Sequence, residues 1–137
     1  MIHFHSDQVD MPTLPFITVK GWMQRVIASH GKREGMIHVI FCSDERILAI
    51  NVSFLQHDYY TDIITFDTGA GETISGDVYI SLDTVASNAH LLSIPTEKEL
   101  LRVIIHGILH LCGYPDKQPD EAAAMRLHED NALAMYL

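Results

Sequence analysis

The sequence predicts an α+β fold, in which a small mixed β-sheet of about four strands packs against five or so helices. Short segments rich in β-branched and aromatic residues, bounded by turn residues, indicate the strands. Longer segments with apolar residues three and four positions apart indicate the helices. Along the 137 residues these segments follow the order β-α-β-α-β-β-α-α-α, without an internal repeat or a linker long enough to divide the chain.

The first half of the chain contains two predicted strands and two predicted helices. Residues 2–5 alternate and residues 36–42 are apolar with few breaks, so both segments are expected to be strands. Residues 15–30 carry apolar side chains on one helical face, and Gly31 provides a stop. Ser43 is placed to cap a short helix that continues to about residue 55.

The second half contains two more predicted strands, residues 62–67 and 76–81, followed by three helices. The first helix covers residues 82–92. The second, residues 96–112, is surrounded by apolar side chains and is expected to be mostly buried. Thr96 and Glu99 have the spacing of a capping box at its start, and Gly113 ends it with a residue that tolerates positive φ. Pro119 opens a last helix that reaches about residue 136.

Length and composition favour a single domain over residues 1–137 in a reducing compartment. Hydrophobic residues make up 47% of the chain, yet no apolar run reaches the ~18 residues that a membrane helix needs. No secretory signal is visible, and Cys42 and Cys112 have neither metal-finger nor disulfide-framework spacing, so the cytoplasm is the expected location. The net charge of −9 argues against unaided, nonspecific binding to duplex DNA.

The residues with the clearest chemical meaning lie at the end of the predicted buried helix. His106 and His110 are four residues apart, so their imidazoles project from one helical face and can reach one Zn²⁺ ion. Gly113 allows a turn, after which Asp116 can bring a carboxylate to the same ion. This spacing matches the zincin pattern H-E-x-x-H-x-x-G-x-x-H. Three protein ligands leave one position for water, so His106 and His110 would act in catalysis through that metal-bound water.

One residue separates this segment from the metalloproteases, which place a Glu general base directly after the first His. Here that position is Gly107, which has no side chain. Asp62, Asp77 and Glu129 are the candidate acid–base residues, and their spacing does not rank them. An H-x-x-x-H pair on an apolar helix can also consist of two ordinary core histidines that satisfy themselves by hydrogen bonding.

The segment from Asn51 to Glu129 resembles the YbeY family of ribosomal-RNA maturation endoribonucleases. The family's hallmark H-G-x-L-H-L-x-G-Y occurs here at residues 106–114, and a carboxylate follows at Asp116. The other matching positions are Asn51, the T-D-(V/I)-(L/I)-(S/T)-F block at 61–66, the G-D-(I/V)-x-(I/V)-S block at 76–81, and Met125 and Glu129 of the trailing M-x-x-x-E. The resemblance covers well over half of the chain and implies an α+β sheet packed with helices around one zinc ion.

By resemblance, the activity is that of a zinc-dependent endoribonuclease specific for single strands. The resemblance further implies cleavage of the small-subunit ribosomal-RNA precursor near its 3′ end, in ribosome maturation and quality control. The expected partners are therefore RNA and the small ribosomal subunit or its assembly factors, and residues 62–76 would border the cleft. Because the chain is so acidic, we expect it to bind a single-stranded segment delivered by a ribosomal partner and not to bind duplex RNA unaided.

Two positions depart from the family pattern. The family's third ligand is a His where this chain has Asp116, and since carboxylates also bind zinc, the site is expected to persist with altered charge and metal preference. Leu55 stands where many members carry an Arg that lines the cleft. His57, Lys117 and Arg126 are the candidates for a replacement positive charge.

Two other functions remain open at this point. A zinc amidohydrolase or peptidase would use the same three ligands, although Gly107 argues against it. A non-catalytic ribosome-assembly factor would use a structural metal only to hold the C-terminal helices. Metal analysis combined with cleavage assays distinguishes these two functions from that of an endoribonuclease.

Overall fold

The computed structural model describes residues 1–55 and 61–136. In chain order its elements are β1 (Ile2–Ser6), α1 (Phe16–Ser29), β2 (Arg33–Cys42), α2 (Asp44–Ile50), a π-helical turn (Asn51–Leu55), β3 (Ile63–Asp67), β4 (Thr73–Ser81), α3 (Leu82–Leu92), α4 (Thr96–Leu111) and α5 (Pro119–Ala134). Within the described residues, five α-helices and a four-stranded mixed sheet confirm the predicted α+β class and the predicted order of elements.

The strands that the structure describes form one sheet in the order β1-β2-β4-β3. β1 runs parallel to β2 and β2 runs parallel to β4, whereas β3 pairs antiparallel with β4. Parallel neighbours need a crossover connection, and α1 supplies it between β1 and β2. A short connection suffices between β3 and β4 because they are antiparallel.

One face of the sheet packs against the main helical layer. On β2, Ile37, Val39 and Phe41 are fully buried, and the alternate residues of that stretch are only half-buried. Val78 and Ile80 of β4 extend the same apolar face. Helices α1 and α4 cover this face. Their largest buried side chains include Trp22, Met23, Ile104, Ile105 and Ile108.

The opposite face carries a smaller apolar cluster beneath α2. Ile47 and Ile50 of α2 pack there with Ile64 of β3 and with Cys42. Helix α2 begins as predicted, because Ser43 Oγ accepts a hydrogen bond of 3.2 Å from a backbone N–H in the first turn. The position of a residue along a strand therefore decides which of two layers its side chain joins.

Helix α4 is the central element, in contact with β3, β4, α1, α3 and α5. Its N-cap residue is Pro95, in an extended conformation. The carboxylate of Glu99 is fully buried and accepts a hydrogen bond of 2.9 Å from Nε of Arg102. The predicted capping box of Thr96 and Glu99 is therefore wrong, because a buried carboxylate gains more from a guanidinium than from one backbone N–H.

Several element boundaries differ from the predicted ones. β2 begins at Arg33 and β4 at Thr73, three residues earlier than predicted, because these two residues are register partners in the parallel ladder. The segment predicted as one helix up to residue 55 consists of α2 followed by the π-helical turn. Helix α5 begins at Pro119 as predicted, but ends at Ala134.

The helices and the two cysteines can also be compared with what the sequence predicted. Among residues 1–55 and 61–136, no helix combines the length and the apolar character needed to cross a membrane. Cys42 and Cys112 are both free thiols, and both are buried.

Candidate metal centre

The two helical histidines lie in the last turns of α4. Their ring centroids are 4.5 Å apart and the ring planes are nearly perpendicular, so both imidazoles lie on one helical face as predicted. The His106 side chain is 16% exposed and that of His110 is 24% exposed. Solvent and small ligands can therefore reach both rings, although neighbouring positions of α4 are buried in the core.

The turn that ends α4 brings the chain back towards these histidines. Gly113 has a φ of +103°, and its N–H donates to the His110 carbonyl at 2.9 Å. The N–H of Tyr114 donates to the Leu109 carbonyl at 3.1 Å. This pair of hydrogen bonds is a Schellman motif, which favours glycine at its left-handed position. The prediction that Gly113 ends the helix with positive φ is confirmed, and the reversal places Asp116 beside the two rings.

The Asp116 carboxylate lies equally close to both imidazoles. Its Oδ2 atom is 3.3 Å from Nε2 of His106 and 3.3 Å from Nε2 of His110. Each of the three residues offers a ligand atom within 4.8 Å of the other two. Tetrahedral zinc ligands bound at about 2.0–2.1 Å are separated from one another by about 3.3–3.4 Å. Both measured distances therefore match an edge of a zinc coordination tetrahedron.

Hydrogen bonds determine which ring nitrogen faces Asp116. His110 Nδ1 lies 3.0 Å from the carbonyl oxygen of Tyr114, and because a carbonyl only accepts, this nitrogen carries a proton. His106 Nδ1 lies 2.6 Å from Oε2 of Glu129, which likewise accepts. In the neutral rings Nε2 then presents a lone pair. Two lone pairs and a carboxylate oxygen then lie close together, and a cation among them would satisfy all three.

The protonation state of His110 also suits a metal ligand. Burial lowers its pKa, and so does the neighbouring His106 ring, against the opposing effect of Asp116. Neutral imidazole is the form that binds metals. Two imidazoles and one carboxylate form a donor set typical of Zn²⁺.

A buried network of charged side chains contacts the Nδ1 side of the His106 ring. Arg102 Nη1 donates to Glu129 at 3.0 Å, while the other side of the guanidinium donates to Glu99. These hydrogen bonds, chiefly the one to Glu99, raise the pKa of Arg102. Burial alone would raise the pKa of Glu129, but its hydrogen bonds to His106 and Arg102 and the positive charge of Arg102 lower it. Glu129 is therefore an ionised carboxylate that orients His106.

Of the other predicted acid–base candidates, Asp77 faces away from this cluster, and Asp62 is not among the residues that could share a metal ion with it. Val78 of β4 faces α4, so the adjacent Asp77 faces the opposite layer, where it lines a pocket with Arg46 and Tyr79. Asp62 directly precedes β3, and its backbone carbonyl accepts a hydrogen bond of 3.0 Å from Ser81 N–H. Of the three candidates, Glu129 is the one that the described structure shows bonded to a site histidine.

Gly107 occupies a crowded position between α4 and the sheet. A Cβ at this residue would lie 2.8 Å from Ile63 Cδ1 and 2.8 Å from Val78 Cγ1. A side chain here would point into β3 and β4 instead of towards Asp116. The metalloprotease Glu therefore has no room at this position.

The candidate replacement charges are placed as follows. Lys117 is exposed and directly follows Asp116. Arg126 is 72% exposed, with its Nε 4.0 Å from Oε1 of Glu129. His57 and the side chain of Leu55 lie outside the described part of the chain.

Sequence reasoning missed Glu99 and Arg102 as supporting residues. The signal was present, since opposite charges three residues apart in an apolar helix require each other when buried. The Tyr114 carbonyl leaves no such signal, because every residue has a carbonyl and only the turn geometry selects this one.

Together, the fold and the cluster define an α+β protein with a candidate metal centre of two histidines and one aspartate at the end of a buried helix. The sequence profile of the family described as Endoribonuclease YbeY matches residues 3–137. The chain belongs to that family, as its motifs indicated.

Relatives and a solved structure agree with this membership. The chain is 54% identical over 135 residues to the Endoribonuclease YbeY of Phocaeicola vulgatus, covering 98% of each protein. It is 50% identical to that of Parabacteroides distasonis over 134 residues, covering 98% of this chain and 94% of the relative. The fold is similar to the solution structure of TM1509 from Thermotoga maritima, with a TM-score of 0.69, 26% identity, and coverage of 99% and 89% of the two chains.

Proposed function

We propose that this chain is a zinc-dependent endoribonuclease specific for single-stranded RNA, with one catalytic domain over residues 1–137. The observation that carries the proposal is the cluster of His106, His110 and Asp116, in which Asp116 Oδ2 lies at zinc-ligand distances of 3.3 Å from both Nε2 atoms. The relatives named endoribonucleases supply the reaction class, which is cleavage of a phosphodiester bond in RNA.

His106, His110 and Asp116 would hold the metal. When bound, zinc supplies a Lewis acid that polarises a phosphoryl oxygen and lowers the pKa of water. The chain's own groups orient the ligands, because Glu129 holds His106 and the Tyr114 carbonyl holds His110 through Nδ1. Partial burial of the rings shields the site while leaving one side open for RNA.

The proposed substrate is the small-subunit ribosomal-RNA precursor, cut near its 3′ end during ribosome maturation and quality control in the cytoplasm. A net charge of −9 opposes association with phosphates. We therefore propose that the small ribosomal subunit or an assembly factor delivers a single-stranded segment to the site. The buried free thiols fit the reducing cytoplasm.

The experiment combines metal analysis with cleavage of precursor ribosomal RNA by the purified chain. His110→Ala and Asp116→Ala are each expected to lose one bound zinc ion relative to the wild type and to lose cleavage. Asp130→Ala and His90→Ala are matched controls, since both side chains are exposed and neither belongs to the cluster.

Three results would each contradict a part of the proposal. Unchanged metal occupancy in Asp116→Ala would remove that residue from the ligand set. Metal loss with full retention of cleavage would exclude the ion from the reaction. Tight binding of structured RNA by the chain alone at physiological salt would contradict delivery by a partner.

The alternatives make different predictions in the same experiment. A peptidase is disfavoured by the packing of Gly107 against the sheet, which leaves no position for the usual general base. An assembly factor with a structural metal would unfold on metal removal without ever cleaving RNA. The ionic network that joins α4 to α5 through Arg102 and Glu129 argues against this, since it links these helices without the ion.

A further inference from the structure

Three histidines lie together on the sheet face opposite α4. His3 and His5 are two residues apart on β1, so both side chains project from one face of that strand. His38 of β2 is the register partner of His3. The residues on either side of His3, Ile2 and Phe4, pack into the core, which places the three imidazoles on the outer face.

The rings of these residues, the outer-face histidines His3, His5 and His38, are in mutual contact. His5 Nε2 and His38 Nδ1 are 2.8 Å apart, so one of them donates a hydrogen bond to the other. The His3 ring stacks on His38 with centroids 5.3 Å apart, and its centroid is 6.4 Å from that of His5. Three basic groups therefore share one small area of surface.

This arrangement is unfavourable for the protonated rings. Like charges at such distances repel one another, and partial desolvation together with the charges of His38, Lys20 and His5 lowers the pKa of His3. A single exposed hydrogen bond between two imidazoles contributes little to stability in return. Neutral imidazoles grouped in this way are good ligands for a metal ion.

We propose that the outer-face histidines form a second site for a divalent transition-metal ion, separate from the centre on α4. The pattern is H-x-H on one strand with a third His facing it from the next strand, which directs three nitrogens to one side of a sheet. Three histidines are also the complete protein ligand set of carbonic anhydrase zinc.

Forming the site requires a change in the ring positions, because the three histidines do not each offer a nitrogen within 4.8 Å of the other two. Tetrahedral ligands at about 2.0–2.1 Å from zinc are about 3.3–3.4 Å apart, so the His5 and His38 nitrogens must separate by roughly half an ångström from their hydrogen-bonded distance. His3 must turn its ring from the stacked position towards the pair, and the strand leaves it half-exposed and able to do so.

The ligand chemistry selects the class of ion. Imidazole suits Zn²⁺, Cu²⁺ and Ni²⁺, whereas Mg²⁺ and Ca²⁺ require oxygen ligands. Asp77 of β4 is the register partner of His38 and continues the same row across the sheet, so its carboxylate adds negative charge beside the site. Three protein ligands leave a coordination position open to water or to an external group.

The test is a zinc titration of the purified, tag-free chain, followed by equilibrium dialysis and metal analysis. The wild type is expected to bind two ions. His5→Gln combined with His38→Gln is expected to bind one, with affinity at the outer face reduced at least about tenfold. His110→Gln is also expected to bind one, and the exposed-helix control His90→Gln to bind two. Urea unfolding of each variant verifies that it is folded.

These variants distinguish the outer-face site from the centre on α4. If His5→Gln with His38→Gln leaves the stoichiometry and affinity unchanged, the outer-face site is overturned. If that double variant loses an ion and His110→Gln does not, the outer-face site holds while the ligand set of the proposed function fails. Shifts of the His3, His5 and His38 ring signals on addition of zinc, observed by NMR, provide an independent readout.

Discussion

Glu129 is the residue that joins the histidine cluster to the rest of the core. Its Oε2 atom lies 2.6 Å from His106 and its Oε1 atom lies 3.0 Å from Arg102. The carboxylate selects the tautomer of His106 and also compensates a buried guanidinium. One buried acid therefore contributes both to the orientation of a proposed ligand and to the packing of α5 on α4.

The substitution Glu129→Gln should weaken both contributions. Loss of the charge should lower zinc affinity by about 10–100-fold, because an amide holds Nδ1 less firmly than a carboxylate does. It should also lower the free energy of unfolding by about 1–3 kcal/mol, since Arg102 keeps only Glu99 as a charged partner. Competition with a zinc chelator and urea denaturation measure the two effects.

The neighbouring substitution Asp130→Asn is the control for Glu129→Gln. Asp130 is exposed on the same helix, so the loss of one negative charge there should leave both quantities close to those of the wild type. Equal zinc affinity in Glu129→Gln and Asp130→Asn would show that Glu129 does not orient the ligand.

At the scale of elements, α4 depends on close approach to the sheet at Gly107. The position lies in the middle of a helix, where glycine costs about 1 kcal/mol relative to alanine. Its presence is explained by Ile63 and Val78, which leave no room for a methyl group. The close packing of Gly107 against the sheet also fixes how far His106 and His110 lie from the sheet.

Two glycine-to-alanine substitutions should therefore have opposite effects. Gly107→Ala overpacks the interface at a cost of about 1–3 kcal/mol, against about 1 kcal/mol gained in helix propensity, so the variant should be less stable by up to about 2 kcal/mol. Gly21→Ala in α1 meets only Arg25 Nη1 at 3.7 Å, and should be more stable by up to about 1 kcal/mol. Urea denaturation of both variants is the measurement, and equal stabilisation by both would contradict the packing argument.

At the scale of the whole molecule, the reactivity of the two thiols measures unfolding of the chain. Cys42 and Cys112 lie on different elements, and each is shielded by the packing around it. Burial raises the pKa of Cys42 to about 12 and that of Cys112 to about 11. At pH 8 both are therefore neutral thiols in the folded chain, whereas an unfolded thiol has a pKa of about 8.5 and is partly ionised.

Modification of the native protein by a thiol reagent at pH 8 should therefore be slow for both cysteines. Reaction should become fast, and should proceed to two equivalents, only when urea unfolds the chain. Mass spectrometry of partially reacted samples distinguishes the two sites. Rapid modification of Cys112 in native buffer would show that the end of α4 opens locally, and would contradict a rigid site.

Much of the fold follows from local sequence patterns. Helix α3 was predicted with its observed limits, and the element order was predicted in full. These segments have clear periodicity and clear end signals, such as Gly113 and Pro119. The capping box of Thr96 and Glu99 was predicted wrongly, because the true partner of Glu99 is a buried guanidinium, and burial is not a local property.

The cluster of candidate ligands was predicted from spacing alone, since positions four apart share a helical face and a glycine permits the reversal that follows. The sequence by itself therefore determined the elements, the family, and the convergence of His106, His110 and Asp116. Only the tertiary structure decided which groups form hydrogen bonds to those candidate ligands. Glu129 reaches His106 because α5 packs on α4, and Asp77 is turned away because of its place in the sheet. Long-range packing selects such partners, and no local spacing records it.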